Sequence, residues 1–506
     1  MLATSLTATI LGVEAHLVRV EADSAPGFPR FSMVGLPDSA VKESEARIRA
    51  ALRNCGLELK WDRRITVNLA PASLRKAGSS FDLATALGLL AADGAIPMPQ
   101  LGRVLLVGEL ALDGGLRGVA GVLPMLLLAR RHQLEAAVVP AANHHEAALV
   151  PDLPVHSAAS LQQALAVVGS ASIPAAPPLP PAVFHDATVP DLADVRGQAL
   201  ARRALEIAAA GGHNLVFSGP PGSGKTMLAR RLPGLLPPLT LDEAVEVVAV
   251  HSAAGLVAED VIGQRPFRSP HHTTSDVALV GGGIRPRPGE VSLAHHGVLF
   301  LDELPEFRRA TLEVLRQPLE EGHVTVSRHR GAVRLPARFQ LVGAMNPCPC
   351  GLRGSPLGCS CTPCEIRAYL GRLSGPLLDR IDLHATVPCV TFDEIAGPPG
   401  EPTAVVRDRV LAARDRQAAR DGATGVRCNA ELPPHALREV ARPGAAGEQM
   451  LRRAVDRAGL TARALDRLLR VARTIADLAG REAIATTDIA EALQYRRCVG
   501  DTAERY

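Results

Sequence analysis

The chain contains 506 residues, of which 47% are hydrophobic and 21% charged, and 55 Lys and Arg against 52 Asp and Glu leave a formal charge of +3. This composition excludes a disordered chain, and the length exceeds what one hydrophobic core serves, so we expect about three domains. No run reaches the roughly 18 uncharged apolar residues of a membrane-spanning helix, which favours a cytoplasmic protein that has no membrane partner and whose cysteines are thiols or metal ligands.

Two segments characterise the N-terminal region, residues 76–83 (KAGSSFDL) and 107–114 (VGELALDG). Through them the region resembles the α+β domain shared by Lon-type proteases and the recombination protein RadA, of the ribosomal S5 domain 2-like type. That resemblance implies a serine nucleophile near Ser80 and a lysine soon after the second segment. Residues 121–124 (GVLP) offer no amine, and no lysine occurs between Lys76 and Lys225. We therefore expect a non-proteolytic platform that forms a ring or faces DNA.

A proline-rich stretch divides the chain. It lies within residues 169–188 and predicts an extended spacer. We expect an N-terminal domain at 1–168, a nucleotide-binding module at 189–392 and a helical region at 393–506. The helical region carries an apolar stripe of helical spacing that ends before Gly480, and Thr487 or Asp488 is the expected N-cap of a last helix. The stripe consists of Leu465, Leu468, Leu469, Ala472, Ile475, Ala476 and Ala479.

Residues 219–226 fit the G-x-x-x-x-G-K-[ST] phosphate-binding loop at every fixed position and lie between an apolar run and a helix-like stretch. The glycines let backbone N–H groups surround phosphates, Lys225 would neutralise β- and γ-phosphate charge, and Thr226 would hold Mg²⁺. The alternative is a glycine-rich turn before an ordinary helix. The predicted nucleotide-binding residues of the loop are Gly219, Pro220, Pro221, Gly222, Ser223, Gly224, Lys225 and Thr226.

Two further apolar runs end in polar residues. Residues 298–301 precede Asp302 and Glu303, which would hold Mg²⁺ and orient the attacking water, respectively. Residues 339–345 end at Asn346, which could touch the γ-phosphate. The competing interpretations are a solvated acidic turn after the first run and a turn residue before Pro347 after the second.

Between these runs, residues 323–335 predict a β-hairpin with a basic tip and Gly331 in the turn. Its arginines are Arg328, Arg330 and Arg334. A solvated surface hairpin is the alternative to a surface that binds phosphates.

Five of the nine cysteines fall within residues 348–364, namely Cys348, Cys350, Cys359, Cys361 and Cys364. The last pair has ordinary C-x₂-C spacing, whereas the first is tighter than the usual zinc-knuckle spacing. We interpret the cluster as a structural Zn²⁺ site that uses four of the five. A redox-responsive thiol patch and a merely reduced loop remain alternatives.

Residues 374–382 (SGPLLDRID) follow the cysteines, and Arg380 lies among acids there, which also suits a local salt bridge. The ordered motifs resemble an AAA+ ATPase, an α/β P-loop module with a helical lid. Residues 265–275 (RPFRSPHHTTS) and 374–382 narrow the resemblance to the magnesium-chelatase-like branch, and within it to the ComM/YifB family. The resemblance extends over essentially the whole chain. It implies that Arg380 is an arginine finger acting on a neighbouring subunit and that Arg463 is the lid arginine called sensor 2, where a surface charge is the alternative.

The resemblance implies an ATP-hydrolysing homo-oligomeric ring, expected to be a hexamer, that acts on single-stranded or branched DNA. The expected activity is a helicase that promotes branch migration and strand integration in natural transformation or recombination. The basic hairpin would then line the pore and bind backbone phosphates. The main alternative is a chelatase-type motor subunit that drives a partner protein. An ATP-binding switch and an ATP-dependent protease are further alternatives, disfavoured by the intact Asp-Glu pair and by the missing lysine.

Overall fold

The computed structural model describes residues 1–94, 97–176, 189–256, 262–283, 286–328, 331–356, 358–421, 426–458 and 460–496. In the part of the chain that it describes, no helix has both the length and the apolar character needed to cross a bilayer.

The N-terminal region is a mixed sheet with helices packed against it. Its strands are β1 (Leu2–Leu11), β2 (Glu14–Ala25), β3 (Arg30–Val34), β4 (Arg64–Ala70), β5 (Val104–Leu106), β6 (Glu109–Leu110), β7 (Leu116–Arg117), β8 (Ala136–Pro140) and β9 (Val155–Ala158). Its α-helices are α1 (Ser39–Lys42), α2 (Ser44–Asn54), α3 (Asp82–Asp93), α4 (Val122–Arg131), α5 (His144–Ala147) and α6 (Leu161–Val168). The sheet order is β3-β4-β2-β1-β5-β8-β9, and β6 and β7 form a separate ribbon. Helix α3 is almost entirely buried because it packs against β1 and β2.

The central region is built around a parallel sheet. Its strands are β10 (Leu215–Ser218), β11 (Phe267–Arg268), β12 (Gly281–Gly282), β13 (Arg287–Pro288), β14 (Val298–Leu301), β15 (His323–Arg328), β16 (Gly331–Pro336), β17 (Gln340–Met345) and β18 (Leu383–Thr386). Its helices are α7 (Ala199–Gly211), α8 (Lys225–Ala229), α9 (Leu232–Leu235), α10 (Leu241–Ala254), α11 (Asp276–Val280), α12 (Glu290–Leu293), α13 (Arg309–Glu313), α14 (Arg316–Glu321), α15 (Pro363–Leu370) and α16 (Gly375–Leu378). The sheet order is β11-β14-β17-β10-β18.

Every residue of β14 and β17 is buried. Such continuous burial suits strands that are covered on both faces, and it explains why their sequences are apolar throughout instead of alternating. The predicted hairpin is formed by β15 and β16, paired from His323 opposite Pro336 to Arg328 opposite Gly331. Single 3₁₀ turns cover Ala141–Asn143, Leu192–Asp194, Leu304–Glu306 and Asn429–Glu431.

The C-terminal region is helical. Its helices are α17 (Phe392–Ala396), α18 (Thr403–Asp421), α19 (Pro434–Val440), α20 (Ala445–Ala458), α21 (Ala462–Leu478) and α22 (Thr486–Gln494). The predicted amphipathic helix is confirmed as α21, which packs on α7 and α18. The predicted N-cap of the last helix is wrong by two or three residues, since α22 begins at Thr486 after the N-cap Ala485. Asp488 instead accepts from the Ala485 N–H at 2.8 Å, so it caps the helix from within the first turn.

The N-terminal and central regions share a hydrophobic cluster. Val248 of α10 is buried in the same cluster as Leu123 and Leu126 of α4. The Gly121 N–H donates to the Ser252 carbonyl at 2.8 Å, and the buried Glu146 carboxylate accepts from the Ser252 hydroxyl. Helix α10 therefore connects the N-terminal and central regions.

Candidate active site

The polar ends of the parallel strands meet at one edge of the central sheet. Strand β10 runs parallel to both β17 and β18, and β17 runs parallel to β14. Their carboxyl ends therefore lie side by side, which is where open α/β sheets bind ligands. The loop 219–224, the pair Asp302 and Glu303, and Asn346 all emerge there.

The loop 219–224 needs glycine at two points where its backbone is most constrained. A Cβ on Gly219 would lie 2.1 Å from the Val387 carbonyl oxygen, so no larger residue fits. Gly224 has φ +93° and is the N-cap of α8. Its left-handed conformation turns the chain from the loop into the helix, whose first residues are Lys225 and Thr226.

Lys225 extends over the loop that precedes it. Its Nζ donates to the carbonyls of Gly219 and Pro220 at 2.7 and 2.8 Å and lies 3.3 Å from Asn346 Oδ1. The residue is only 9% exposed, and burial lowers the pKa of its ammonium group. The structure thus brings this residue and Asn346 together, although they are far apart in sequence.

Thr226 and the acidic pair form the next part of the site. The Thr226 hydroxyl donates to Asp302 Oδ2 at 2.9 Å, and the Glu303 N–H donates to Asp302 Oδ1 at 2.9 Å. Hydroxyl and carboxylate oxygens are the ligands that Mg²⁺ prefers, so this pair fits that ion. Glu303 has φ +51°, an uncommon conformation for a non-glycine residue, and its carboxylate lies beside His272.

Two residues of this site were not predicted. His272 Nδ1 lies 3.3 Å from Glu303 Oε2, and the buried Tyr369 of α15 lies close to Asn346. Burial raises the pKa of Tyr369 to about 12, so its hydroxyl remains protonated. His272 belongs to the segment 265–275 that carried the family resemblance, and this was the only signal for it in the sequence. Tyr369 had no signal.

A cavity of about 330 Å³ adjoins the loop 219–224. Gln198 positions its wall by donating from Nε2 to the Pro388 carbonyl at 2.6 Å and to the Ser223 carbonyl at 3.3 Å. An apolar pocket beside a phosphate loop suits the base of a nucleotide. Its apolar lining comes from Val195, Met227, Leu228, Val390 and Ile395.

Arg380 lies at the amino ends of the strands, opposite the phosphate loop. It precedes β18, and β18 runs parallel to β10. It is 5% exposed, forms an ion pair with Glu320 and donates to the Pro376 carbonyl. The structure therefore does not bring Arg380 to the phosphate loop of its own chain.

Arg463 lies in the first turn of α21 and is exposed. One turn further along the same helix, Arg467 bonds Asp382 Oδ1 at 2.8 Å, and His213 Nδ1 lies 3.1 Å from Asp382 Oδ2. Burial alone would raise the pKa of Asp382, but the hydrogen bond from His213 and the charge of Arg467 hold it well below its usual range. Asp382 immediately precedes β18, so this contact ties α21, one turn after Arg463, to the amino end of β18.

The basic hairpin presents one polar face. Val324 and Leu335 are buried, whereas Thr325 and Arg334, which pair across the strands, are exposed. Arg334 Nη2 donates to His323 Nδ1 at 3.0 Å. Arg330 and the side chain of Arg328 lie outside the described residues.

Four of the five clustered cysteines come together. The Sγ atoms of Cys348, Cys350, Cys359 and Cys361 all lie within 4.8 Å of one another. Cys364 is exposed at the second position of α15 and is not part of this group.

A second group of side chains that could bind a metal ion lies near the amino end of β14. His295 Nε2 and His296 Nε2 donate to Glu246 Oε2 at 3.0 and 2.7 Å. His295 Nδ1 accepts from the Arg338 N–H at 3.0 Å, so its Nε2 carries the hydrogen and offers no lone pair to a metal. The group is therefore a hydrogen-bonded cluster. It was not predicted, because Glu246 is remote from the two histidines in sequence.

In the N-terminal region, Ser80 is 6% exposed just before α3. Lys76 is fully buried and donates to the Pro71 carbonyl. Residues 121–124, where the Lon-type pattern has its lysine, form the start of α4.

Comparison with known proteins identifies the family. Three sequence models of protein families match the chain. The family "Magnesium chelatase, subunit ChlI" matches residues 191–395, "Subunit ChlI of Mg-chelatase" matches residues 20–143, and "Magnesium chelatase, subunit ChlI C-terminal" matches residues 400–496. Competence protein ComM of Haemophilus influenzae is 46% identical over 501 residues, which cover 97% of this chain and 96% of ComM. The chain belongs to the ComM/YifB family.

Further members of the ComM/YifB family include YifB of Escherichia coli, 44% identical over 97% of this chain and 96% of YifB. An uncharacterized protein of Mycobacterium tuberculosis is 46% identical over 98% of this chain and 99% of its own length. Family membership and the parallel sheet together give an AAA+-like α/β fold, and magnesium-chelatase-like membership indicates an ATPase that binds ATP and Mg²⁺. Proteins of this class are oligomeric.

Proposed function

We propose that the protein is a ring-forming, hexameric ATPase that converts ATP hydrolysis into movement along DNA. The observation that carries the catalytic part is the convergence of Lys225, the Thr226–Asp302 pair, Glu303 and Asn346 at one edge of the sheet. A bound Mg²⁺ would neutralise charge on the β- and γ-phosphates.

Each residue then has a defined task. Lys225 exchanges its carbonyl partners for phosphate oxygens, and Thr226 and Asp302 hold the ion. Glu303, whose side chain is exposed next to the ion-binding pair, accepts a hydrogen bond from the attacking water and polarises it. Asn346 contacts the γ-phosphate through the amide group that already lies beside Lys225.

Completion of the site requires a second copy of the chain. Arg380 lies at the edge of the sheet that faces away from its own phosphate loop, and Arg463 is exposed on α21 one turn before Arg467, which bonds Asp382. We propose that both act on ATP bound by a neighbouring protomer, where Arg380 exchanges Glu320 for the γ-phosphate. In this arrangement residues 393–506 serve as the lid.

The DNA-directed part of the proposal rests on the hairpin β15–β16 and on the name of a relative. Arg334 is exposed on the polar face of the hairpin, and the sequence adds Arg328 and Arg330 near the tip. Arginines on a pore-lining hairpin would bind phosphates without reading bases. ComM of Haemophilus influenzae is a competence protein, and competence is the capacity to take up DNA. We therefore favour a helicase that promotes branch migration and strand integration, with residues 1–168 as a non-proteolytic Lon-like platform of the ring.

The deciding experiment measures ATPase rates of the full chain with no DNA, single-stranded DNA and branched DNA. Strong stimulation by DNA that Glu303→Gln abolishes supports the proposal. Arg334→Ala should lower DNA affinity and reduce the slope of log affinity against log salt by about 0.7 for single strands. Hydrolysis that is indifferent to DNA would contradict the motor.

A chelatase-type motor subunit is the second candidate, because the matching family models describe magnesium-chelatase subunits. It would bind a partner protein instead of DNA. Pull-down of the full chain from cell extract distinguishes the two candidates, since a large chelatase subunit in place of DNA would favour this second function.

A further inference from the structure

The loop between β17 and α15 gathers four thiols around one point. The Sγ atoms lie 3.4 Å apart for Cys348 and Cys350, 3.6 Å for Cys348 and Cys359, and 3.5 Å for Cys350 and Cys359. Cys361 Sγ lies within 4.8 Å of these three. A disulfide requires about 2.05 Å, so these are separate thiols. In a tetrahedral zinc site with Zn–S bonds of about 2.3 Å, the sulfur–sulfur separation is about 3.8 Å, close to the separations found here.

The separations also limit what the four sulfurs can hold. Four sulfurs within 4.8 Å leave room for a single ion and not for an iron–sulfur cluster.

We propose that Cys348, Cys350, Cys359 and Cys361 bind one Zn²⁺, that Cys364 does not take part, and that the metal holds Asn346 and the phosphate loop in place. Zinc is the ion that four thiolates in a closed tetrahedral site select.

The loop that carries the cysteines packs against the phosphate loop and Asn346. Gly351 lies so close to the loop that a Cβ there would approach Pro221 Cδ to 2.7 Å. Cys348 follows Asn346 after one residue, so fixing its sulfur limits where the Asn346 side chain can lie. The same Cβ on Gly351 would lie 3.7 Å from Asn346 Cγ, so Gly351 packs against this side chain as well. The metal would therefore fix the loop that supports both Pro221 and Asn346.

The first test is the metal content of the full chain, purified without chelator and measured by elemental analysis. We expect about one Zn²⁺ per chain in the wild type and in Cys364→Ser, and loss of the metal in Cys359→Ser. Both substituted cysteines are exposed, so the variants are matched. A wild type without zinc or with another metal, a Cys359→Ser variant that keeps its zinc, or a Cys364→Ser variant that loses it would overturn the assignment.

If Cys359→Ser does not fold, replacing zinc by Co²⁺ in the wild type should give the strong visible absorption of a tetrathiolate site, and its absence would overturn the assignment.

The second test concerns the connection to the phosphate loop, and this part of the inference rests on the proposed ATP site. Folded Cys359→Ser should bind a fluorescent ATP analogue about tenfold more weakly than Cys364→Ser. Equal affinities would refute the connection and leave the metal site intact. An analogue that binds neither the wild type nor the variants would instead refute the ATP site, while the metal content would still report on the cysteines.

Discussion

At the scale of single residues, Lys225 and Glu303 lie in the same site but have different tasks. Lys225 is buried beneath loop carbonyls and Asn346, whereas the Glu303 side chain is 55% exposed and faces His272. Binding and hydrolysis should therefore respond differently to the loss of each side chain.

We expect Lys225→Ala to weaken ATP binding by about 10²-fold, because two or more charged hydrogen bonds to phosphate are lost. Glu303→Gln should bind ATP as the wild type does and hydrolyse it about 10²–10⁴-fold more slowly, since the amide cannot polarise water as the carboxylate does. Calorimetric titration and a phosphate-release assay measure the two effects. Normal hydrolysis in Glu303→Gln would remove this residue from the mechanism.

A second prediction at this scale concerns His296, whose neighbours are Glu243, Glu246, His295 and Arg427. Burial, reinforced by the charge of His295, lowers the pKa of His296 to about 4. The unfolded chain therefore takes up a proton near pH 6.5, and the folded chain does so only near pH 4. This contribution to stability is complete above pH 6.5 and is lost as the pH falls towards 4.

The loss between pH 7 and pH 5 should be about 1–2 kcal/mol. It should appear as a lower apparent Tm at pH 5. In His296→Asn the fall in Tm over this range should be smaller, and asparagine is chosen because it tolerates the φ of +55° at this position. An identical fall in both proteins would show that other groups govern the acid response.

At the scale of elements, the start of α21 controls where Arg463 lies. Thr461 is its N-cap, and the Thr461 hydroxyl accepts from the Ala464 N–H at 3.2 Å. The first turn carries Arg463, while Arg467 one turn later is held by Asp382. Fraying of this turn would therefore release Arg463 but leave the rest of the helix docked.

We expect Thr461→Ala to lower stability by about 1 kcal/mol and to reduce ATP hydrolysis more than ATP binding. Thr461→Ser keeps the capping oxygen and should restore both. Thermal unfolding and steady-state kinetics check the prediction. A Thr461→Ala variant with full activity would mean that the position of Arg463 does not limit the reaction.

At the scale of the whole molecule, each ATP site would be shared between two copies of the chain. Arg380→Ala alone should reduce hydrolysis about 10³–10⁵-fold. A mixture of equal amounts of Arg380→Ala and Lys225→Ala chains should recover activity, because some interfaces combine an intact Lys225 with an intact Arg380. With random assembly about a quarter of the interfaces are of this kind, so the expected rate is about a quarter of the wild-type rate.

The mixture is assayed after dissociation and reassembly, and each variant alone is the control. No recovery, in a mixture shown by native mass spectrometry to contain both chains, would place Arg380 outside the shared site.

The sequence predicted those parts of the site that depend on local patterns. The phosphate loop and the acidic pair each follow an apolar run, and parallel strands bring such ends together without further information. The pocket around Gln198 was not predictable in this way, since it combines Val195 with Val390 and Ile395 from the far end of the region. Likewise, the cysteine spacing indicated a metal site but could not say which four thiols meet. The partner of Arg380 was also hidden, because Glu320 reaches it only through the packing of α14.

The ion pair between Arg380 and Glu320 has a consequence for how much ATP unassembled chains consume. A solitary chain keeps this guanidinium occupied at the edge of the sheet remote from its own nucleotide. If Arg380 works only across an interface, free chains bind ATP and leave it intact. Specific ATPase activity would then rise with protein concentration. Newly made or dissociated chains would bind ATP without hydrolysing it.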